Sequence, residues 1–149
     1  MSIFIRVVRL AHGADLPLPA YKTSGSAGMD LHAAILTSLS LPPTERAVIA
    51  TGLSIALPKG YEGQIRGRSG LALHCGIACY NAPGTIDSDY RGEIKVMLIN
   101  LGKKTVNFER GDRIAQLVIS PVIKVAWEEV YALEDSERGT GSFGSTGLN

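Results

Sequence analysis

Between Gly84 and Gly92 the chain reads GTIDSDYRG, which places two carboxylates, a phenol ring and a guanidinium in one short stretch. Asp87 and Asp89 stand two residues apart, so on an extended backbone they face one side. A positioned carboxylate can take a proton from water and turn a poor nucleophile into a useful one. The flanking glycines let the backbone turn sharply or come close to a ligand. Asp, Ser and Gly are also what any polar hairpin turn prefers, so this stretch alone leaves both readings open.

Other clusters tip the balance. SGSAGMDLHAA, residues 24–34, puts Asp30 after Gly25 and Gly28, just ahead of apolar residues. Residues 67–73, GRSGLAL, set an arginine and glycines before a short helical stretch. Ser69 is expected to cap that helix, which runs through Cys75 and ends at Gly76. Exposed N–H groups at such a start suit an anion as well as a cap. Gln116 lies alone in an apolar run, where its amide needs a partner. The last residues, from Arg138 through RGTGSFGSTG, have one ring to bury and suit either a loose tail or a flap around phosphates. No Lys follows these glycines, so they form no Walker loop.

These residues need elements to hold them, and the chain supplies short strands. Residues 3–10, 47–57, 62–66, 94–100, 105–109, 114–122 and 123–130 read as strands, separated by Gly/Pro turns such as Pro58-Lys59-Gly60. No long helical period is present. The pattern predicts an all-β domain, a sandwich or barrel, over residues 1–133, with a flexible Gly-rich arm over 134–149.

Composition narrows the chemistry. A chain of 149 residues fits one domain with a real core. The formal net charge of +1 argues against bulk binding of nucleic acid, so an anion must meet a local arginine cluster. No apolar run reaches the length of a membrane span and no signal-peptide layout is seen, so the expected location is the cytoplasm. His74, Cys75 and Cys79 fall short of a structural zinc set, and the cysteines read as ordinary thiols.

Taken together, the clusters resemble the trimeric dUTP pyrophosphatases (dUTPases). AGMDL at 27–31, RSGLA at 68–72, GTIDSDYRGE at 84–93, GDRIAQL at 111–117 and RGTGSFGSTG at 138–147 look like that family's five motifs, in order. Asn81 stands at the expected distance before the third. Gly67 and Ser142 depart from the pattern, at positions more often held by proline and glycine.

The resemblance implies a jelly-roll-like β-clip fold with one short helix, and hydrolysis of dUTP to dUMP and pyrophosphate. Water would attack the α-phosphorus with Asp87 as general base, lowering dUTP and supplying dUMP for thymidylate synthesis. Mg2+ would bridge phosphate oxygens, with Asp30 holding it through water, while Arg68, Ser69, Gly70 and Gln116 hold phosphate. Asn81 would read the uracil edge and Tyr90 would pack on deoxyribose; Thr85, Ile86 and Met97 complete the pocket. In the arm, Phe143 would stack on uracil and Arg138 pair with the γ-phosphate, beside Gly144 and Ser145. The resemblance also implies a homotrimer with sites shared between subunits. Two alternatives stand: a related dCTP deaminase, disfavoured by the GTIDSDYRGE hairpin and the tail, and a binding module that keeps the pocket without the chemistry.

Overall fold

The computed structural model describes residues 3–142. Its strands are β1 (Arg6–Arg9), β2 (Met29–His32), β3 (Leu39–Leu41), β4 (Arg46–Ala56), β5 (Tyr61–Arg66), β6 (Ile77–Cys79), β7 (Gly84–Ile86), β8 (Glu93–Asn100), β9 (Val106–Phe108) and β10 (Arg113–Pro121). One helix, α1 (Ser69–Cys75), and a 3-10 turn at Ala11–Gly13 complete the regular structure. Two four-stranded sheets, ordered β1-β4-β8-β6 and β2-β10-β5-β7, are joined by the small pair β3-β9. All pairings are antiparallel, giving the expected jelly-roll-like fold.

The period of the sequence explains the layers. In β8, Ile94, Val96, Leu98 and Asn100 are buried while Lys95 and Met97 face outward, the alternation of a strand covered on one face. The inward residues meet Leu31, Ile49, Ile65, Ile77 and Ile114 in one core shared by both sheets. β10 breaks the alternation, because Ile114 and Ala115 are both fully buried. Its register against β2 shifts between Arg113 and Ala115, and this bulge turns two successive side chains inward.

Among the described residues, the one fully buried side-chain amide is Asn100. Its Nδ2 donates to the carbonyls of Leu41 and Lys104, each at 2.8 Å, and its Oδ1 accepts the Gly102 N–H at 2.9 Å. The side chain therefore closes the turn after β8 onto β3, and its polar atoms are satisfied.

Three expectations need correction. The first strand is shorter than residues 3–10 and covers only Arg6–Arg9. Ser69 is the first helical residue rather than the cap; Arg68 takes the cap position in extended conformation without a side-chain bond, while Gly76 ends the helix at φ 71 as expected. Residues 123–130 form no strand. A strand must pair its backbone with a neighbour, and here Ile123, Val125 and Trp127 stand 87%, 73% and 95% exposed.

Replacing Asn100 with Leu would leave the Gly102 N–H and two carbonyls without their partner. The expected loss is about 2–4 kcal/mol, read as a lower denaturation midpoint in urea at fixed protein concentration.

Candidate active site

The expected hairpin is a bend between strands that do not pair: β7 and β8 belong to different sheets, and a groove of about 550 Å³ opens beneath the bend that joins them. Asn81, Thr85, Ile86, Asp87, Tyr90 and Met97 all line this groove, with Glu93 and Lys95 beside them. Six of the sequence-predicted residues thus meet in one place. Met97 and Lys95 reach it because the outward face of β8 is its wall. The Tyr90 N–H bonds to the Asp87 carbonyl at 3.1 Å, which closes the turn carrying the carboxylate.

The glycines around this groove serve side chains rather than unusual backbone angles. Neither Gly84 nor Gly92 has positive φ. A Cβ on Gly92 would stand 2.4 Å from the Tyr90 hydroxyl and 2.6 Å from its ring, so only glycine lets the ring lie there. A Cβ on Gly84 would come within 3.1 Å of the Asn81 amide. The Tyr90 hydroxyl donates to the Glu93 carbonyl at 2.9 Å, which fixes the ring over the bend.

A second group forms on the sheet β2-β10-β5-β7. Asp30 of β2 pairs in register with Gln116 of β10, which pairs in turn with Arg66 of β5. Arg68 follows two residues on, and its Nε lies 3.3 Å from Asp30 Oδ1. Arg113 approaches the other carboxylate oxygen at 3.2 Å, and its carbonyl accepts from Arg68 Nη1 at 3.0 Å. Gln116 donates to the Gly67 carbonyl at 2.9 Å, the partner its position in an apolar strand demanded. Gly28 makes room for that amide: a Cβ there would sit 2.3 Å from Gln116 Oε1. Ser69 and Gly70 are exposed in the first turn of α1, next to Arg68.

Electrostatically the cluster carries two guanidinium groups against one carboxylate. Burial holds the neighbouring His32 imidazole below its ordinary value, with Lys22, Arg113 and Arg68 adding to the effect and Asp30 opposing it. A neutral His32 leaves the cluster with an excess of one positive charge, suited to an anion. Arg113 is the member that sequence reasoning left without a role. It stood inside the GDRIAQL stretch, but only cross-strand register puts it on Asp30.

Asp30, Arg68, Ser69, Gly70 and Gln116 do not line the groove under the hairpin. Arg138 lies in an exposed turn with Gly139 and Thr140. Phe143, Gly144 and Ser145 lie outside the described residues. Both cysteines are free, and burial raises the Cys79 thiol above its usual value, which keeps it protonated.

The family model for dUTPase matches residues 14–147. The chain belongs to the dUTPase family of enzymes. It is 55% identical over 148 residues to the deoxyuridine 5'-triphosphate nucleotidohydrolase of Wolbachia sp. subsp. Brugia malayi, covering 98% of this chain and 95% of that one. The enzyme of the same name from Zymomonas mobilis is 53% identical, covering 99% of this chain and all (100%) of the other. Among solved structures, a mutant of the Staphylococcus bacteriophage 80alpha dUTPase with dUpNHpp superposes with a TM-score of 0.83 at 28% identity, covering 99% of this chain and 100% of that chain. A mutant dUTPase from phage phi11 of S. aureus, described for its structural Mg(II) ion, shares the fold with a TM-score of 0.78 at 24% identity, covering 89% of this chain and 100% of that chain.

Gly92→Ala is expected to displace the Tyr90 ring while leaving the core intact. Near-ultraviolet circular dichroism should change in the tyrosine region, with far-ultraviolet spectrum and melting temperature close to native.

Proposed function

We propose that the chain hydrolyses dUTP to dUMP and pyrophosphate, with Asp87 as general base for water attacking the α-phosphorus. The observation that carries this reading is the groove under the hairpin, where a carboxylate, an amide and an aromatic ring converge. Family membership supports the substrate. Asp87 is exposed at the rim of that groove, where it can reach a water beside a bound phosphate. Taking the proton as the oxygen attacks contributes on the order of 10²–10⁴-fold to such a reaction.

Asn81 and the backbone around it present hydrogen-bonding groups to the uracil edge. Cytosine offers a donor where uracil offers an acceptor, and each buried group left unpaired costs about 1–3 kcal/mol. Tyr90, locked over Gly92, packs against deoxyribose and leaves no room for a 2′-hydroxyl. Thr85, Ile86 and Met97 close the walls.

Arg68, Ser69, Gly70 and Gln116 hold phosphate oxygens, and the excess positive charge of their cluster supports that role. A single carboxylate beside two arginines makes a poor metal cage. It fits a magnesium ion held mainly by triphosphate and water, with Asp30 accepting from a bound water. When bound, Mg2+ neutralises charge developing on the leaving pyrophosphate. The arm, residues 134–149, would close over the site through Arg138, Phe143, Gly144 and Ser145, shutting out bulk solvent while the attacking water is retained.

The groove and the phosphate cluster share no lining residue, which supports a homotrimer whose sites are built from more than one subunit. Apolar side chains along residues 123–133, among them Trp127 at 95% and Leu133 at 87% exposure, support the same reading, since each would be covered by a neighbour. The product dUMP serves thymidylate synthesis. Two free thiols suit the reducing cytoplasm.

Pyrophosphate release from dUTP, dTTP, dCTP and UTP with magnesium tests the reaction. Native protein should turn over dUTP alone, and Asp87→Asn should lose about 10²–10⁴-fold in turnover while still binding dUpNHpp. Turnover by Asp87→Asn close to native would remove Asp87 from the mechanism. Sedimentation at assay concentration should give a trimer, and a monomer with full activity would overturn the shared site.

A further inference from the structure

A residue that the chemistry leaves unused is His12, which lies outside every motif in sequence. In the fold its Nε2 lies 2.6 Å from Oε1 of Glu93, a partner 81 residues away that lines the groove. The same oxygen accepts the Gly52 N–H at 2.8 Å. Two donors from separate segments therefore fix one carboxylate oxygen, with the Glu93 side chain only 15% exposed.

This arrangement is built from three elements. The β4–β8 register shifts between Ala50 and Ser54, and Gly52 sits in the bulge at φ 69. Its N–H is turned to the Glu93 side chain, and its carbonyl accepts the Leu10 N–H at 2.8 Å. Gly13 lies flush on Gly52: a Cβ on either would come within 2.7 Å of the other's Cα. The 3-10 turn that carries His12 is thereby seated on the bulge. From its other side, Arg110 Nη2 donates to the His12 carbonyl at 2.8 Å and pairs with Asp15.

Glu93 then connects this seat to the hairpin. Its backbone carbonyl accepts the Tyr90 hydroxyl, and Tyr90 covers Gly92. Other bonds of the bend tie it to itself: Tyr90 N to the Asp87 carbonyl, and Arg91 Nη1 to the carbonyls of Ser88 and Tyr90. The Glu93 carboxylate reaches outside the bend. An imidazole suits this task because it places a donor on a short, stiff side chain.

We propose that His12 is a positioning residue which, through Glu93, sets the depth at which Tyr90 and the hairpin meet the substrate sugar. This rests on the reading of the groove as the deoxynucleotide pocket. It makes binding and discrimination against ribose depend on the N-terminal 3-10 turn, which touches no reacting atom.

The test compares His12→Ala, Glu93→Ala, Glu93→Gln and the double alanine variant with native protein. Loss of a hydrogen bond to a charged group should raise KM for dUTP about tenfold in either alanine variant. kcat should stay within about threefold, and relative turnover of UTP should rise. Glu93→Gln, whose amide oxygen still accepts both donors, should lose clearly less than Glu93→Ala and keep residues 87–92 protected from exchange. The double variant should be no worse than Glu93→Ala, because one linkage is broken in each. Native KM and native UTP discrimination in His12→Ala, additive losses, or a Glu93→Gln as impaired as Glu93→Ala would each overturn the proposal. Should His12→Ala fail to fold, the two Glu93 variants decide the question. Amide hydrogen exchange gives a readout free of any substrate: residues 87–92 should exchange faster in His12→Ala while β4 and β8 stay protected. If native protein does not hydrolyse dUTP, the activity reading fails and this exchange result still decides the linkage; unchanged exchange would sink it.

Discussion

The constraint on which the rest depends is the two-residue period of β8. Ile94, Val96, Leu98 and Asn100 must face the core, and that places Glu93 at the hairpin base and Lys95 and Met97 on the groove wall. A slip of one residue would exchange the two faces, burying a lysine and exposing the buried aliphatics. The strand pairs with β4 on one side and β6 on the other, so both neighbours inherit its register. Core packing and the groove wall are two faces of a single strand and cannot be set independently.

Where the sheet departs from regularity, the departure presents a polar group. The β4 bulge aims the Gly52 N–H at Glu93, and the β10 bulge precedes Gln116, whose amide caps the Gly67 carbonyl. Several glycines do related service by leaving a volume that a neighbouring side chain fills: Gly28 for Gln116, Gly84 for Asn81, Gly92 for Tyr90. Each substitution to alanine would push on a side chain of the site before it disturbed the core. These glycines concern side-chain placement, in contrast to Gly76 and Gly111, whose positive φ serves the backbone itself.

Charge is local in this molecule. With a formal net charge of +1, the long-range field is weak, and any anion would have to be recognised at contact distance. The fold gathers such charge in one place by setting Arg68 and Arg113 on either oxygen of Asp30. The carboxylate holds the two guanidinium groups in place, and a bound polyanion with its cation would redistribute these pairings rather than create them from disordered side chains.

Sequence by itself determined the class of element and brought forward the residues that the fold gathers along the groove. Alternation, Gly/Pro turns and a missing helical period were enough for an all-β chain, because burial on one face has a period that can be read without coordinates. Residues 84–93 alone read equally well as a polar turn, and it was the set of clusters along the chain that marked them out. Only the tertiary structure decided which strand neighbours which, and hence that Arg113 meets Asp30 and His12 meets Glu93, partners 83 and 81 residues apart. It also showed residues 123–130 unpaired, though their alternation reads as a strand. The reason is the same in each case: a strand's faces are encoded in its own residues, whereas its partner is encoded in the whole chain's competition for pairing.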